Sequence, residues 1–289
     1  MAAAPTRPVV RWHGGKWRLA PWILAHLPPH RVYTEAYGGG GSVLLRKPRV
    51  HAEVWNDLDD DVVGLFRVLR DPVAADELVR RLELTPFARS EFRWSFDIGA
   101  DSCAIERARA LVIRSFQGFG SNAHAGHSTG FRANSSRSGT TPAGDWANYP
   151  DALRAVVARL RGVVVENRPA LEVIATHDSP DTLHYVDPPY LWETRQLSSG
   201  AVAPKNRYRY EMDAAQHADL LAALRDVSGM VVLSGYPDDR YDTALPQWRR
   251  VERAAFADGA RPRTEVLWIN PRAWGRLMPV LPFPDREVG

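Results

Sequence analysis

Asp187-Pro188-Pro189-Tyr190 is the stretch of this chain whose residue types can do chemistry. It ends the run His184-Tyr185-Val186, which is rich in strand formers. A strand cannot continue through two prolines, because each fixes φ and removes a ladder N–H. Asp187 is therefore expected at the carboxyl end of a strand, where open α/β sheets place their ligands. The prolines hold a stiff turn whose carbonyls face no competing proline N–H, and Tyr190 leaves that turn with a flat face free to stack. Two acceptors, the Asp187 carboxylate and the Pro188 carbonyl, match the two donors of an exocyclic amino group on a planar base. Drawing on both N–H bonds concentrates the nitrogen lone pair that the ring otherwise delocalises, so the nitrogen becomes a usable nucleophile. Taken alone, these four residues fit an ordinary strand end and turn equally well. The rest of the chain decides between the two.

Two glycine-containing stretches lie upstream. Trp12-His13-Gly14-Gly15-Lys16 precedes a helix expected over about residues 17–27, stopped by Pro28-Pro29. Its glycines let backbone N–H groups approach an anion, with Lys16 as the cation, although the spacing is not that of a Walker loop. The strand-like Arg31–Tyr37 then runs into Gly38-Gly39-Gly40-Gly41-Ser42 and an apolar helix start. Strand, glycine turn and helix make a nucleotide-cofactor cradle. A second short strand, residues 51–57, ends in Asp57, sixteen residues after Gly41, near the spacing of a ribose-binding acid. Asp57, Asp59 and Asp61 resemble the start of a calcium loop, but Val62 stands where the glycine is required and the closing glutamate is absent.

These motifs need a sheet to position them. Further strands are expected at residues 162–167, 183–187, 229–234 and 265–270, the last stopped by Pro271. Helical patterns cover residues 62–84 with a break at Asp71-Pro72, much of 86–120, 151–161, and 213–226 with Asp213 as N-cap. Residues 105–116 are expected to be buried, with Cys103 a small apolar residue beside them. Residues 117–150 are different: glycines recur among Ser, Asn, Thr and His, a length without structure that points to a functional loop. His124 and His127 have metal-like spacing but lack a third ligand.

The chain has 289 residues and a net charge of +3, with a pI near 9.1. That balance is weak support for a polyanionic partner, but its distribution is more informative. Arg132 opens an arginine-rich stretch, and Lys205-Asn206-Arg207-Tyr208-Arg209 interleaves cations with an aromatic, suited to tracking phosphates and stacking on bases. The single cysteine excludes an internal disulfide and a multi-cysteine zinc site. No apolar run reaches membrane-span length, and residues 1–8 lack a signal-peptide core, so a cytoplasmic protein is expected.

Together these motifs resemble the Dam-like (D12 class) N6-adenine-specific DNA methyltransferases. Trp12-x-Gly14-Gly15-Lys16 resembles that family's N-terminal cofactor motif. Residues 35–42 resemble its Phe-x-Gly-x-Gly loop, with Ala36 and Tyr37 standing where Pro and Phe are common. Asn56-Asp57 sits where the family keeps its ribose acid, and Asp187–Tyr190 is its catalytic tetrapeptide. The resemblance implies a Rossmann-like, seven-stranded, mainly parallel α/β sheet over residues 1–69 and 162–289. It also implies an inserted, mainly helical target-recognition segment over residues 70–161.

What the resemblance implies about the site can be stated by residue. Asp187, Pro188, Pro189 and Tyr190 would be catalytic, orienting and stacking on an adenine flipped out of double-stranded DNA. Trp12, Gly15, Lys16, Tyr37, Gly39, Gly41, Asp57 and Asp187 would hold S-adenosyl-L-methionine. Arg132, Lys205, Arg207 and Arg209 would bind DNA. No metal is expected, a monomer is expected, and a cognate restriction endonuclease is a compatible partner. Three other readings stay open: the same fold acting on cytosine N4, the same fold acting on RNA, and a catalytically silent DNA-binding relative. A nicotinamide-linked dehydrogenase explains the glycine loop and Asp57 but neither the tetrapeptide nor the first motif.

Overall fold

The computed structural model describes residues 4–120, 130–135, 139–191, 193–194, 208–256 and 262–277. The strands are β1 (Val32–Glu35), β2 (Ala52–Asn56), β3 (Val163–Glu166), β4 (Thr182–Val186), β5 (Met230–Gly235), β6 (Arg249–Phe256) and β7 (Pro262–Ile269). They form a seven-stranded sheet in the order β3-β2-β1-β4-β5-β7-β6. The first five are parallel, and β7 runs antiparallel to both β5 and β6. The helices of the amino-terminal half are α1 (Ala20–Leu24), α2 (Ser42–Arg46), α3 (Asp60–Arg70), α4 (Pro72–Leu84), α5 (Arg89–Trp94) and α6 (Ala104–Gln117). Those that follow are α7 (Pro142–Ala147), α8 (Tyr149–Leu160), α9 (Ala170–His177), α10 (Ala214–Asp226), α11 (Asp239–Ala244) and α12 (Pro271–Leu277).

β4 and β5 are buried at every residue, as expected of strands in a sheet covered on both faces. The pleat sends alternate residues to two separate cores. Met230, Val232, Leu267 and Ile269 join one face together with Phe66, Leu78, Leu111 and Leu153 from α3, α4, α6 and α8. Val231, Leu233, Val266 and Trp268 join the other with Ile174 of α9, Leu220 and Leu224 of α10, and Tyr241 of α11. The helices between residues 70 and 160 therefore pack into the same apolar core as the sheet.

The chain winds outward from β1 through β2 to β3, then returns to the other side of β1 to lay down β4. Winding therefore reverses between β1 and β4, and a crevice opens there at the carboxyl ends of the strands. The register is pinned across this junction. Thr34 lies opposite His184, and Thr34 Oγ1 lies 2.7 Å from His184 Nδ1 inside the sheet. A slip of one residue would turn every side chain of β4 to the wrong face. With Glu35 opposite Tyr185, the glycine loop after β1 and Asp187 after β4 leave the sheet at the same edge.

Several sequence expectations need correction. The first helix is shorter than residues 17–27, because Trp17–Leu19 form turns before it starts. Cys103 is exposed at the N-cap of α6 instead of packing against its buried face. β6 was not expected at all. It is an edge strand whose Arg249, Arg250, Glu252 and Arg253 are exposed, so it lacks the apolar alternation that marks half-buried strands, and its charges protect an open edge. α7, α9, α11 and α12 were also not expected, being short helices with little periodicity to read, and α7 and the start of α8 fall in residues 117–150, where a loop was expected.

A buried ion cluster fixes the frame behind the glycine loop. Glu53 of β2 accepts from Lys47 Nζ at 2.7 Å and from Arg159 of α8 at 2.7 and 2.8 Å. Arg159 Nη2 also donates to the Leu44 carbonyl of α2 at 2.7 Å. Glu53→Ala would strand two buried cations. It is expected to lower the unfolding free energy by about 3–5 kcal/mol, measured by urea denaturation. A loss below about 1 kcal/mol would mean that water compensates both cations.

Candidate active site

A cavity of about 350 Å³ opens at the β1/β4 reversal. Its walls come from the Trp12–Lys16 turn, the glycine loop, Asp57, Asp187, and residues 208–212. The size suits a cofactor-sized molecule.

The glycine loop is shaped by two tryptophans. Gly38 lies against the indole of Trp55, so a Cβ there would sit 2.0 Å from Trp55 Nε1. Trp55 is itself locked by a parallel stack on Phe66 at 3.9 Å. Gly39 takes φ +48°, and a Cβ there would meet Trp12 at 2.7 Å. Only glycine allows this loop to pass between the two rings. Gly41 starts α2 in the left-handed conformation, and Tyr37 lines the same cavity. Gly15 closes a turn by donating its N–H to the Trp12 carbonyl at 3.1 Å.

Asn56 and Asp57 tie the loops together. Buried Asn56 donates to the carbonyls of Ala36 at 2.8 Å and Arg168 at 3.0 Å, and accepts from the Arg168 N–H at 2.9 Å. One side chain thereby joins the loops that follow β1, β2 and β3. Asp57 accepts the Gly39 N–H at 2.7 Å and the Asp59 N–H at 2.8 Å. Burial pushes the Asp57 carboxyl up to about 6, and the charge of Asp59 adds to this, while its backbone donors pull the other way.

Lys16 and Asp187 meet on the floor of the cavity. Lys16 Nζ lies 2.9 Å from Asp187 Oδ2, donates to the Gly14 carbonyl at 2.8 Å, and sits 4.7 Å from the centre of the Tyr190 ring. Asp187 Oδ1 is buried and has no hydrogen-bond partner. Tyr190 is buried. Its hydroxyl donates to Glu265 Oε2 at 2.9 Å and lies 3.1 Å from Ser234 Oγ. Tyr236 stands edge-on to its ring at 4.5 Å. Pro188 and Pro189 join Asp187 to this anchored ring, as the tetrapeptide requires.

The floor carries more carboxylates than cations. Burial lifts Asp187 above the ordinary carboxylate range despite Lys16. It lifts Glu265 likewise, and pushes Glu35 up to about 8 with help from the Asp187 charge. Burial alone would lower Lys16, but the charges of Asp187 and Glu265 carry it above its ordinary value. Asp187 and Glu35 line the cavity, and a cation bound there would favour their ionised forms.

The expected DNA contacts fall differently. Lys205 and Arg207 lie outside the described residues, as do His124 and His127. Arg209 pairs with Asp59 and Asp61, each at 3.0 Å, across the cavity mouth. Arg132 is half-buried and donates to the Phe116 carbonyl at 2.9 Å. It stands at a neck where Phe119 N–H meets the Gly130 carbonyl at 3.0 Å and Arg132 N–H meets that of Gln117 at 2.8 Å. Among the described residues no group of three or more His, Cys, Asp or Glu is placed to hold a metal ion. No helix among them is long and apolar enough to cross a membrane.

Sequence reasoning missed Glu265, Ser234 and the site role of Glu35. Glu265 had a readable signal, since it is an acid opening the apolar run Glu265–Ile269 of a strand buried at its later positions. Glu35 stood in plain view before the glycine loop, but its burial depends on the pairing of β1 with β4.

Residues 12–99 match the family model of D12 class N6 adenine-specific DNA methyltransferases. The matched part is under a third of the chain. It holds the glycine loop, Lys16 and Asp57, and ends well before Asp187. A search of curated proteins found no match. The strand order, five parallel strands followed by an antiparallel β7, is consistent with a methyltransferase fold.

Glu35 gives a pH test. Its folded carboxyl sits at about 8 against an ordinary 4.5. Its contribution to stability is therefore complete below about pH 4.5 and is lost as pH rises through about 8. Glu35→Gln keeps an acceptor for the Tyr33 hydroxyl and the Leu44 N–H, which now meet Oε2 at 2.8 Å each. Between pH 5 and pH 9 the melting temperature of the unsubstituted protein should fall relative to that of the Gln variant. Parallel curves would show that Glu35 does not titrate in this range.

Proposed function

We propose that this chain transfers a methyl group from S-adenosyl-L-methionine to N6 of an adenine flipped out of duplex DNA. The observation that carries this reading is Asp187. It stands at the carboxyl end of β4 on the floor of a glycine-walled cavity, with one carboxylate oxygen unpartnered and the other held by Lys16. The match of residues 12–99 supports the same reading from the cofactor side.

The residues present fit the cofactor. The glycine loop lets backbone approach a nucleoside closely, and Asp57, an acceptor already turned toward the Gly39 N–H, stands where a ribose hydroxyl could reach it. Asp187 on the cavity floor has only Lys16 to balance it, so a sulfonium cation is accommodated beside it. When bound, S-adenosyl-L-methionine supplies a methyl group already activated by that positive charge. Trp12, Gly15, Tyr37, Gly39 and Gly41 complete the wall that would hold it.

The protein's remaining task is to position the base. The target amino group is out of reach inside the helix, so the base must leave the stack. Asp187 and the Pro188 carbonyl accept its two N–H bonds, and the face of Tyr190 supports the ring. Lys16 holds Asp187 Oδ2 and leaves Oδ1 for the amino group, but it covers part of Tyr190 and must shift for the base to stack there. Asp187 is also the acceptor to which the proton lost from N6 is already hydrogen-bonded. Near-attack alignment of the base supplies most of the acceleration. Residues 70–161 and the cations Arg132, Lys205, Arg207 and Arg209 are assigned to DNA contact, Arg209 after exchanging its two aspartates for phosphate.

Unmethylated DNA incubated with the protein and S-adenosyl-L-methionine should yield N6-methyladenine by nucleoside mass spectrometry. N4-methylcytosine would correct the base, and no modified base despite cofactor binding would sink the reading. Asp187→Ala should abolish transfer while DNA binding persists. Asp57→Ala should weaken cofactor affinity in calorimetry by about tenfold, about 1.4 kcal/mol. Unchanged affinity would remove Asp57 from the site.

A further inference from the structure

The β6–β7 hairpin contributes one polar group to the buried floor, and the function just proposed does not use it directly. Glu265 of β7 is 7% exposed and sits among apolar strand residues. Its Oε2 accepts the Tyr190 hydroxyl at 2.9 Å. Ser234, at the carboxyl end of the neighbouring β5, lies 3.1 Å from the same hydroxyl. The register places Ser234 opposite Leu267, so the two strands deliver their polar groups to one point.

Tyr190 needs such an anchor. Pro188 and Pro189 stiffen the backbone before it, but a tyrosine ring still turns about two side-chain torsions. A ring that supports a base must hold its plane within about 10–20°. Its hydroxyl is the end farthest from the backbone, so fixing it removes most of that freedom. A phenol bound to a carboxylate is held about twice as strongly as by a neutral acceptor. Glu265 is also outside the cavity wall, as is Tyr190, so neither reaches the cofactor space directly.

We propose that Glu265 is the positioning residue for Tyr190: from β7 it fixes the plane of the ring on which the flipped base stacks. This rests on the methyltransferase reading above for what the ring supports, but the anchoring itself does not. Glu265 acts through Tyr190 and touches neither base nor cofactor. The antiparallel end of the sheet thus takes part in the chemistry of the parallel part.

The test is a double-mutant cycle of Glu265→Ala and Tyr190→Phe, with Glu265→Gln as the conservative variant. Glu265→Ala should lower the kcat for methyl transfer about tenfold and leave cofactor affinity within about twofold. Glu265→Gln, which keeps an oxygen acceptor, should recover most of the rate. In the Tyr190→Phe background, which has no hydroxyl to anchor, Glu265→Ala should add little. Equal losses in both backgrounds, or a loss tracking cofactor affinity, would overturn the proposal.

A second readout does not need turnover. With fluorotyrosine incorporated and the Tyr190 fluorine resonance assigned by its absence in Tyr190→Phe, Glu265→Ala should broaden or shift that line in the cofactor-free protein. Glu265→Gln should restore it. An unchanged line overturns the anchoring even if the enzyme proves inactive on DNA. A shifted line with no methylated base supports the anchoring and instead refutes the functional reading.

Discussion

A carboxylate at the end of a parallel strand has to be kept out of water and still remain useful. Asp187 meets this constraint through Lys16, 2.9 Å away, and much of the structure serves to bring the two together. β4 carries Asp187 into an apolar junction. The Trp12–Gly15 turn carries Lys16 over the same junction from the other end of the chain. An unpaired buried charge would cost several kcal/mol, so the pair is what permits an acid on that floor at all. One lysine serves more than one acid, and the group remains short of positive charge.

The surrounding bonds act as fixed supports for that pair. Asn56 joins three loops, Glu53 draws two cations behind the glycine loop, and the Thr34–His184 contact fixes the register of β1 against β4. Each is buried, so each is strong where its partners are complete and costly where they are not. The site is therefore built on strands and their immediate ends, where backbone position is set by the ladder. Arg209 and its neighbours close the mouth from a different part of the chain, and the ion pairs of Arg209 to Asp59 and Asp61 are partly exposed. Those contacts are weaker and easier to exchange.

Much of this was readable in the sequence where local rules apply. Two prolines after an apolar run placed Asp187 at a strand end, and β4 stops at Val186, one residue earlier. The glycine run marked a tight turn between strand and helix, and Asp213 marked a helix start. What was not readable depends on partners distant in the chain. Whether Lys16 faces solvent or Asp187 is decided by the β1/β4 crossover, which no local pattern encodes. Glu265 comes to Tyr190 only because β7 is antiparallel to β5. β6 was hidden because an exposed edge strand lacks the alternation that reveals buried ones. Tyr190 was expected as an open stacking face, but the fold holds it as an anchored ring partly covered by a lysine.

The neck at Gly118–Phe131 has a consequence of another kind. Its two sides are joined by backbone hydrogen bonds, so the ends of the intervening segment are held close together whatever lies between them. The entropy of closing such a segment grows only with the logarithm of its length, about 0.6 kcal/mol for each doubling. Changing the length of chain between Phe119 and Gly130 therefore adds little to the entropy of closing the neck. The hydrogen bonds of the neck itself, and not the length of chain it closes, therefore set its geometry.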